Sequence, residues 1–126
     1  MVLGQRDALP QWRSIDRGVA SALVEVECLR TLDRLRLAEG LKDDEIALRR
    51  EAVYRLLEAM EVVELTGPVL SRATQPPPTA LGTLDAIHLA TALLWRERTE
   101  TRLVMATHDA ALGTAARASG LTVVGL

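Results

Sequence analysis

The chain has 126 residues, of which 48% are hydrophobic and 25% charged, so it is long enough for one domain and too apolar to be disordered. Its net charge of −2 excludes a protein that binds nucleic acid through bulk positive charge. Trp12, Tyr54 and Trp95 are its only aromatic residues, too few for a module that stacks bare bases on aromatic rings.

Cysteine content and apolar segments indicate the compartment. Cys28 is the only cysteine, which excludes an intrachain disulfide and a zinc site of clustered Cys and His. No apolar run approaches the roughly 20 residues that a bilayer span requires. Arg6 and Asp7 stand where a signal peptide would have an apolar core. We therefore expect a cytoplasmic protein.

The first half of the chain predicts three helices and two strands. Pro10 confines the first helix to an opening turn, and Gly40 is suited to end the second. The expected elements are a short helix at 7–15, a strand at 17–21, a helix at 22–39, a helix starting within the acidic stretch 42–45 and a strand at 62–65.

The second half predicts further alternation of helices and strands. Thr83 and Asp109 are the expected N-caps of two helices, and Gly120 the expected end of the second. The expected elements are a weak helical turn at 68–74, a proline loop at 75–79, a helix at 84–97, a strand at 102–107, a helix at 109–119 and a strand at 121–126.

This alternation favours an α/β fold with a mostly parallel sheet flanked by helices. Ligands of such sheets bind beyond the carboxyl ends of the strands. Asp109 follows the strand at 102–107, and Asp85 lies in the first turn of its helix, so both are placed for function. Together with Glu27 they form a candidate acidic cluster. Carboxylates that converge repel each other and are tolerated when a divalent cation neutralises them.

Each acid also has a purely structural interpretation. Asp109 is a good helix cap, and Asp85 would complement the dipole of its helix. Glu27 would lie on a solvated face of its helix, although its neighbours place it beside an apolar stripe, and periodicity does not decide between Glu27 and Glu25.

Four neighbouring polar residues are weaker candidates. His88 lies one turn beyond Asp85 and is expected to be a hydrogen-bonded core residue. His108 would contact a substrate phosphate or serve only as a loop residue, and Thr107 would offer a hydroxyl near a metal or simply end its strand. Arg30 is expected to pair with a nearby carboxylate. None of the four is expected to be a general base.

Two stretches resemble a known family. The segment 81–126, containing LGTLDAIHLATAL and LVMATHDAAL, resembles the C-terminal half of a PIN domain of the VapC toxin type. The earlier VASALVEVECLR is similar to the family's second acidic motif, a Ser, an apolar stretch and Glu-x-x-Arg. This match selects Glu27 with Arg30 and makes Ser21 the corresponding serine.

The resemblance implies a three-layer PIN-like sandwich and an endoribonuclease that depends on Mg²⁺ or Mn²⁺. Glu27, Asp85 and Asp109 would be its catalytic metal-site residues, supported by Ser21, Arg30 and Thr107. The metal would lower the pKa of a bound water that hydrolyses RNA. The implied partners are RNA, a cognate antitoxin and a second copy of the chain.

The N-terminus departs from the family pattern. PIN domains open with a buried central strand that ends in Asp followed by Thr or Ser, whereas this chain begins MVLGQRDALPQW. We therefore expect one PIN-like domain over 1–126 that lacks its opening strand, with the natural protein extending upstream of Met1. A catalytically impaired PIN-like remnant that binds antitoxin or RNA, and a plain α/β scaffold whose acids are helix caps, are the alternatives.

Overall fold

A computed structural model describes residues 17–126. The helix expected at 7–15 lies outside these residues. The described elements are β1 (Gly18–Ser21), α1 (Leu23–Glu39), α2 (Asp43–Glu58), β2 (Met60–Val63), α3 (Gly67–Ala73), α4 (Thr83–Thr99), β3 (Val104–Ala106), α5 (Ala110–Ala118) and β4 (Thr122–Val124). None of the helices in this part of the chain is long and apolar enough to cross a membrane.

The four strands form two parallel pairs. β1 pairs with β2, with Ser21 opposite Val63, and β3 pairs with β4, with Val104 opposite Thr122. Parallel neighbours need a crossover connection, which α1 and α2 provide for the first pair and α5 for the second. The expected α/β fold with parallel strands is thereby confirmed. The missing opening strand stays a prediction.

Hydrophobic side chains pack in two clusters. One lies between α4, α5 and the start of β4 and contains the buried residues Leu89, Leu93, Leu112, Ala115, Ala116 and Leu121. The other joins α1 to α2 through Cys28, Leu32 and Val53. Helix α4 also contacts β1 and α3, so it lies between the two parts of the fold. Its position therefore fixes where residues in its first turns are presented.

A bidentate ion pair adds to the packing of α3 on α4. The two guanidinium nitrogens of Arg72 donate to the carboxylate oxygens of Glu97 over 3.0 and 2.8 Å. Two parallel hydrogen bonds of this kind set the relative orientation of the groups as well as their distance.

Most element boundaries agree with the sequence, whereas those of α4, β2, β3 and β4 differ. Gly40 ends α1 in the left-handed conformation, with φ of 64°, as expected. Thr83 is not the cap of α4, because Gly82 occupies that position and makes no side-chain cap bond. β2 starts at Met60, two residues earlier than expected, since Met60 pairs with Gly18. β3 and β4 each cover only three residues of the six in their predicted strands.

Candidate active site

The first part of the candidate site lies where β1 passes into α1. Ser21, the last residue of β1, is 2% exposed, and its hydroxyl accepts a hydrogen bond from the amide of Leu23 over 3.2 Å. This local bond supports the turn into α1. Ser21 therefore fixes the start of the helix that carries Glu27.

Glu27 contacts a histidine from a distant part of the chain. Its Oε1 lies 2.5 Å from Nε2 of His88, 61 residues away. Glu27 is half-buried, whereas Glu25 on the same helix is exposed. The structure thus distinguishes the two glutamates, which sequence periodicity did not.

His88 is hydrogen-bonded, as expected, but its surroundings are not those of a core residue. The side chain of His88 is 20% exposed, and its partner is the carboxylate of Glu27. Sequence reasoning missed this contact, because nothing local links α1 to α4. The available signal was a histidine one turn beyond Asp85 on the same face of the helix.

Asp85 lies among other acids. Its pKa is raised by burial first, then by the negative charge of Asp109, with a smaller contribution from Glu27. The charge of His88 acts in the opposite direction. Because such charge effects act over short distances, Asp109, Glu27 and His88 all lie near Asp85.

Asp109 caps α5, as the sequence predicts. Its Oδ1 accepts a hydrogen bond from the amide of Leu112 over 2.9 Å. A carboxylate has about four lone-pair sites, so capping leaves acceptor capacity for a second ligand. The cap and the proposed metal role are therefore compatible.

The loop between β3 and α5 is held by residues around Asp109. Thr107 is 9% exposed, and its hydroxyl accepts from the amide of Asp109 over 3.0 Å. The amide of Thr107 donates to the carbonyl of Val124 over 3.1 Å. Nδ1 of His108 lies 2.5 Å from the carbonyl oxygen of Gly125. Thr107 and His108 thus both tie this loop to the end of β4.

Gly125 is a positioning residue that the sequence did not single out. Its φ is +98°, and a Cβ there would lie 2.7 Å from the carbonyl oxygen of Thr107. Only glycine allows this close approach without moving backbone. The signal was a glycine near the end of a strand, which is too common to be specific.

Arg30 pairs with a carboxylate of its own helix. Its guanidinium lies 3.6 Å from Asp33, and its side chain is 65% exposed. The ion pair is directed along α1, so nothing in it orients Glu27. A supporting role for Arg30 stays a prediction.

The donors suit a hard divalent cation, although they do not form a tight ligand group. Glu27, Asp85 and Asp109 supply carboxylate oxygens, the ligands that Mg²⁺ prefers. The pKa of Asp85 is raised first by burial and then by the negative charge of Asp109, and a cation would relieve that repulsion. Among residues 17–126, however, no three His, Cys, Asp or Glu side chains lie close enough together to hold a metal ion. Mg²⁺ usually keeps several waters, which accommodates this wider spacing.

The described part of the chain has a cavity that is separate from the three acids. One cavity of about 360 Å³ lies between α3, the proline loop and the start of α4, lined by residues that include Leu70, Pro76 and Ile87. None of the three acids lines it. Asp109 is exposed, whereas Glu27 and Asp85 are half-buried.

Comparison with known proteins agrees with the motifs. The sequence pattern of the PIN domain matches residues 4–118. The protein named Ribonuclease VapC35, from two strains of Mycobacterium tuberculosis, is 36% identical over 123 residues, covering 95% of this chain and 83% of that protein. The matched residues 4–118 span Glu27, Asp85 and Asp109. The chain belongs to the PIN domain family.

Proposed function

We propose that the protein is a metal-dependent endoribonuclease and the toxin of a toxin–antitoxin pair. The observation that carries this proposal is the contact of Glu27 on α1 with His88, one turn beyond Asp85 on α4, while Asp109 at the start of α5 is close enough to add to the rise that burial causes in the pKa of Asp85. Similarity to a protein named as a ribonuclease supports the choice of RNA as substrate.

The residues have distinct parts in this proposal. Glu27, Asp85 and Asp109 would hold Mg²⁺ or Mn²⁺, which when bound polarises a phosphodiester and lowers the pKa of a water. Asp85 would also accept a hydrogen bond from the attacking water. Ser21 and Thr107 hold the backbone that presents Glu27 and Asp109.

The proposed partners are RNA, a cognate antitoxin and a second copy of the chain, acting in the cytoplasm. Exposed apolar side chains on α1 and α2 support a protein-binding surface there. These are Val26, Leu37, Leu48 and Tyr54. All but one of the basic residues are arginines, whose planar guanidinium groups suit phosphate oxygens.

Cleavage of a structured RNA in the presence of Mg²⁺ tests the proposal. Asp85→Asn should lower the rate by roughly 10²–10⁴-fold, the usual contribution of a positioned proton acceptor. Asp43→Asn is the matched control, because Asp43 is exposed in the first turn of α2, and it should cleave like the parent. Chelation should stop cleavage, and added Mg²⁺ or Mn²⁺ should restore it.

Two results would count against this function. Cleavage that survives Asp85→Asn and chelation would remove the acids from the chemistry. RNA binding without cleavage by the parent chain would favour the impaired alternative, for which the wide spacing of the acids in residues 17–126 is the supporting observation.

A further inference from the structure

We propose that His88 is a positioning residue that fixes the carboxylate of Glu27, holding one of its oxygens and leaving the other for a divalent cation. The inference rests on the proposed function in its choice of ligand. The contact between the two side chains is independent of it.

The contact between His88 and Glu27 joins two helices that are distant in the sequence. Nε2 of His88 lies 2.5 Å from Oε1 of Glu27, and the contact joins α4 to α1 across 61 residues of chain. A glutamate that is 40% exposed has three rotatable bonds and would otherwise sample several positions. A partner on another helix restricts those positions in a way that a local contact would not.

The helix that carries His88 is held firmly by the hydrophobic core. His88 precedes Leu89, which is 4% exposed and belongs to the cluster between α4 and α5. The imidazole is therefore carried by a helix anchored in the core. A site residue is held accurately when its supporting partner is itself fixed by packing.

The hydrogen bond between His88 and Glu27 leaves part of the carboxylate free. An ionised carboxylate only accepts hydrogen bonds, so Nε2 of His88 carries the proton and donates it. One oxygen of Glu27 is then satisfied, and the carboxylate keeps lone pairs for a cation. Outer partners of this kind orient ligating groups, and their loss commonly weakens metal binding about 10–100-fold.

Asp85 lies on the same helix as His88. Asp85 and His88 are three residues apart on α4, so they lie on the same face of the helix. One helix face thus carries an acid of the candidate site and the donor that holds a second acid, Glu27. Residues of a single helix thus both supply one carboxylate and restrict the position of the other.

Mn²⁺ affinity, measured by calorimetry on the full chain, tests the role. We expect His88→Leu, which removes the donor, to weaken binding about 10–100-fold. His88→Gln keeps an amide donor at a similar reach and should restore most of the affinity. In a Glu27→Gln background, His88→Leu should have no further effect, because the two residues act through one contact.

The proposal is overturned if His88→Leu binds Mn²⁺ like the parent, or if its effect is undiminished in the Glu27→Gln background. Failure of His88→Gln to improve on His88→Leu would likewise assign His88 a packing role only.

A metal-free measurement separates this inference from the proposed function. In proton NMR of the parent chain, the Nε2 proton of His88 should give a downfield, slowly exchanging resonance. Glu27→Gln should shift or abolish it, whereas Glu25→Gln, on the exposed side of α1, should not. Absence of that resonance, or indifference to Glu27→Gln, overturns the positioning role. A parent chain that shows the resonance but binds no Mn²⁺ refutes the metal site, while the contact stands.

Discussion

Asp85 illustrates how a single charge links stability to the candidate site. Burial and the neighbouring acids raise its pKa in the folded chain, so the folded state holds the proton more tightly than the unfolded state does. Stability contributed by this group therefore falls as the pH rises from about 3.9, the ordinary aspartate pKa, through the raised folded value.

We predict that Asp85→Asn melts at a higher temperature than the parent at pH 7 in the absence of metal. The difference should vanish below about pH 3.9, where the parent carries a protonated aspartic acid in both states. Thermal melts across this pH range measure it. A lower melting temperature for Asp85→Asn at pH 7 would show that ionised Asp85 stabilises the fold.

At Asp109 a helix cap and a candidate ligand coincide in one side chain. Asn caps about as well as Asp, so Asp109→Asn should change the free energy of unfolding by only a few tenths of a kcal/mol. Asp109→Ala loses the bond to Leu112 and should cost about 1 kcal/mol. Both variants should lose RNA cleavage. Urea unfolding and a cleavage assay compare them, and full activity in Asp109→Asn would reduce Asp109 to a cap.

The elements β3 and β4 meet the loop of Asp109 through a close backbone contact at Gly125. We predict that Gly125→Ala destabilises the fold by about 1–3 kcal/mol, because φ is +98° and the new Cβ would meet the Thr107 carbonyl. RNA cleavage should fall as well, since the loop must shift. Gly67→Ala is the control, because a Cβ there meets nothing within 4 Å. Urea unfolding of both variants measures the difference, and equal stabilities would mean that the contact adjusts freely.

At the scale of the whole molecule, the two hydrophobic clusters are connected through α4 and β1. Leu32→Ala should cost about 2–5 kcal/mol, since Leu32 is 1% exposed. Leu37→Ala on the same helix should stay within about 0.5 kcal/mol, because Leu37 is 71% exposed. Amide exchange in α5 should accelerate in Leu32→Ala too, as expected for one cooperative unit. Acceleration confined to α1 and α2 would mean that the clusters unfold separately.

Local signals in the sequence were sufficient for much of the fold. The end of α1 at Gly40 and the cap of α5 at Asp109 follow from the conformational and hydrogen-bonding preferences of single residues. The motifs around Asp85 and Asp109 also sufficed to identify the family, which the comparisons confirm. The boundary of β2 did not follow, because a strand's extent depends on its partner, β1.

The candidate site likewise contains features set by local sequence and features set by tertiary contacts. The sequence by itself determined the described helices and the parallel α/β class, because each has a signature within a few neighbouring residues, and the site role of the three acids stays a prediction from their motifs. Only the tertiary structure decided that Glu27 and not Glu25 meets His88, and that Gly125 supports the loop of Asp109. Those contacts join residues far apart in the chain, and such distances are set by the packing of helices and strands and not by local preference.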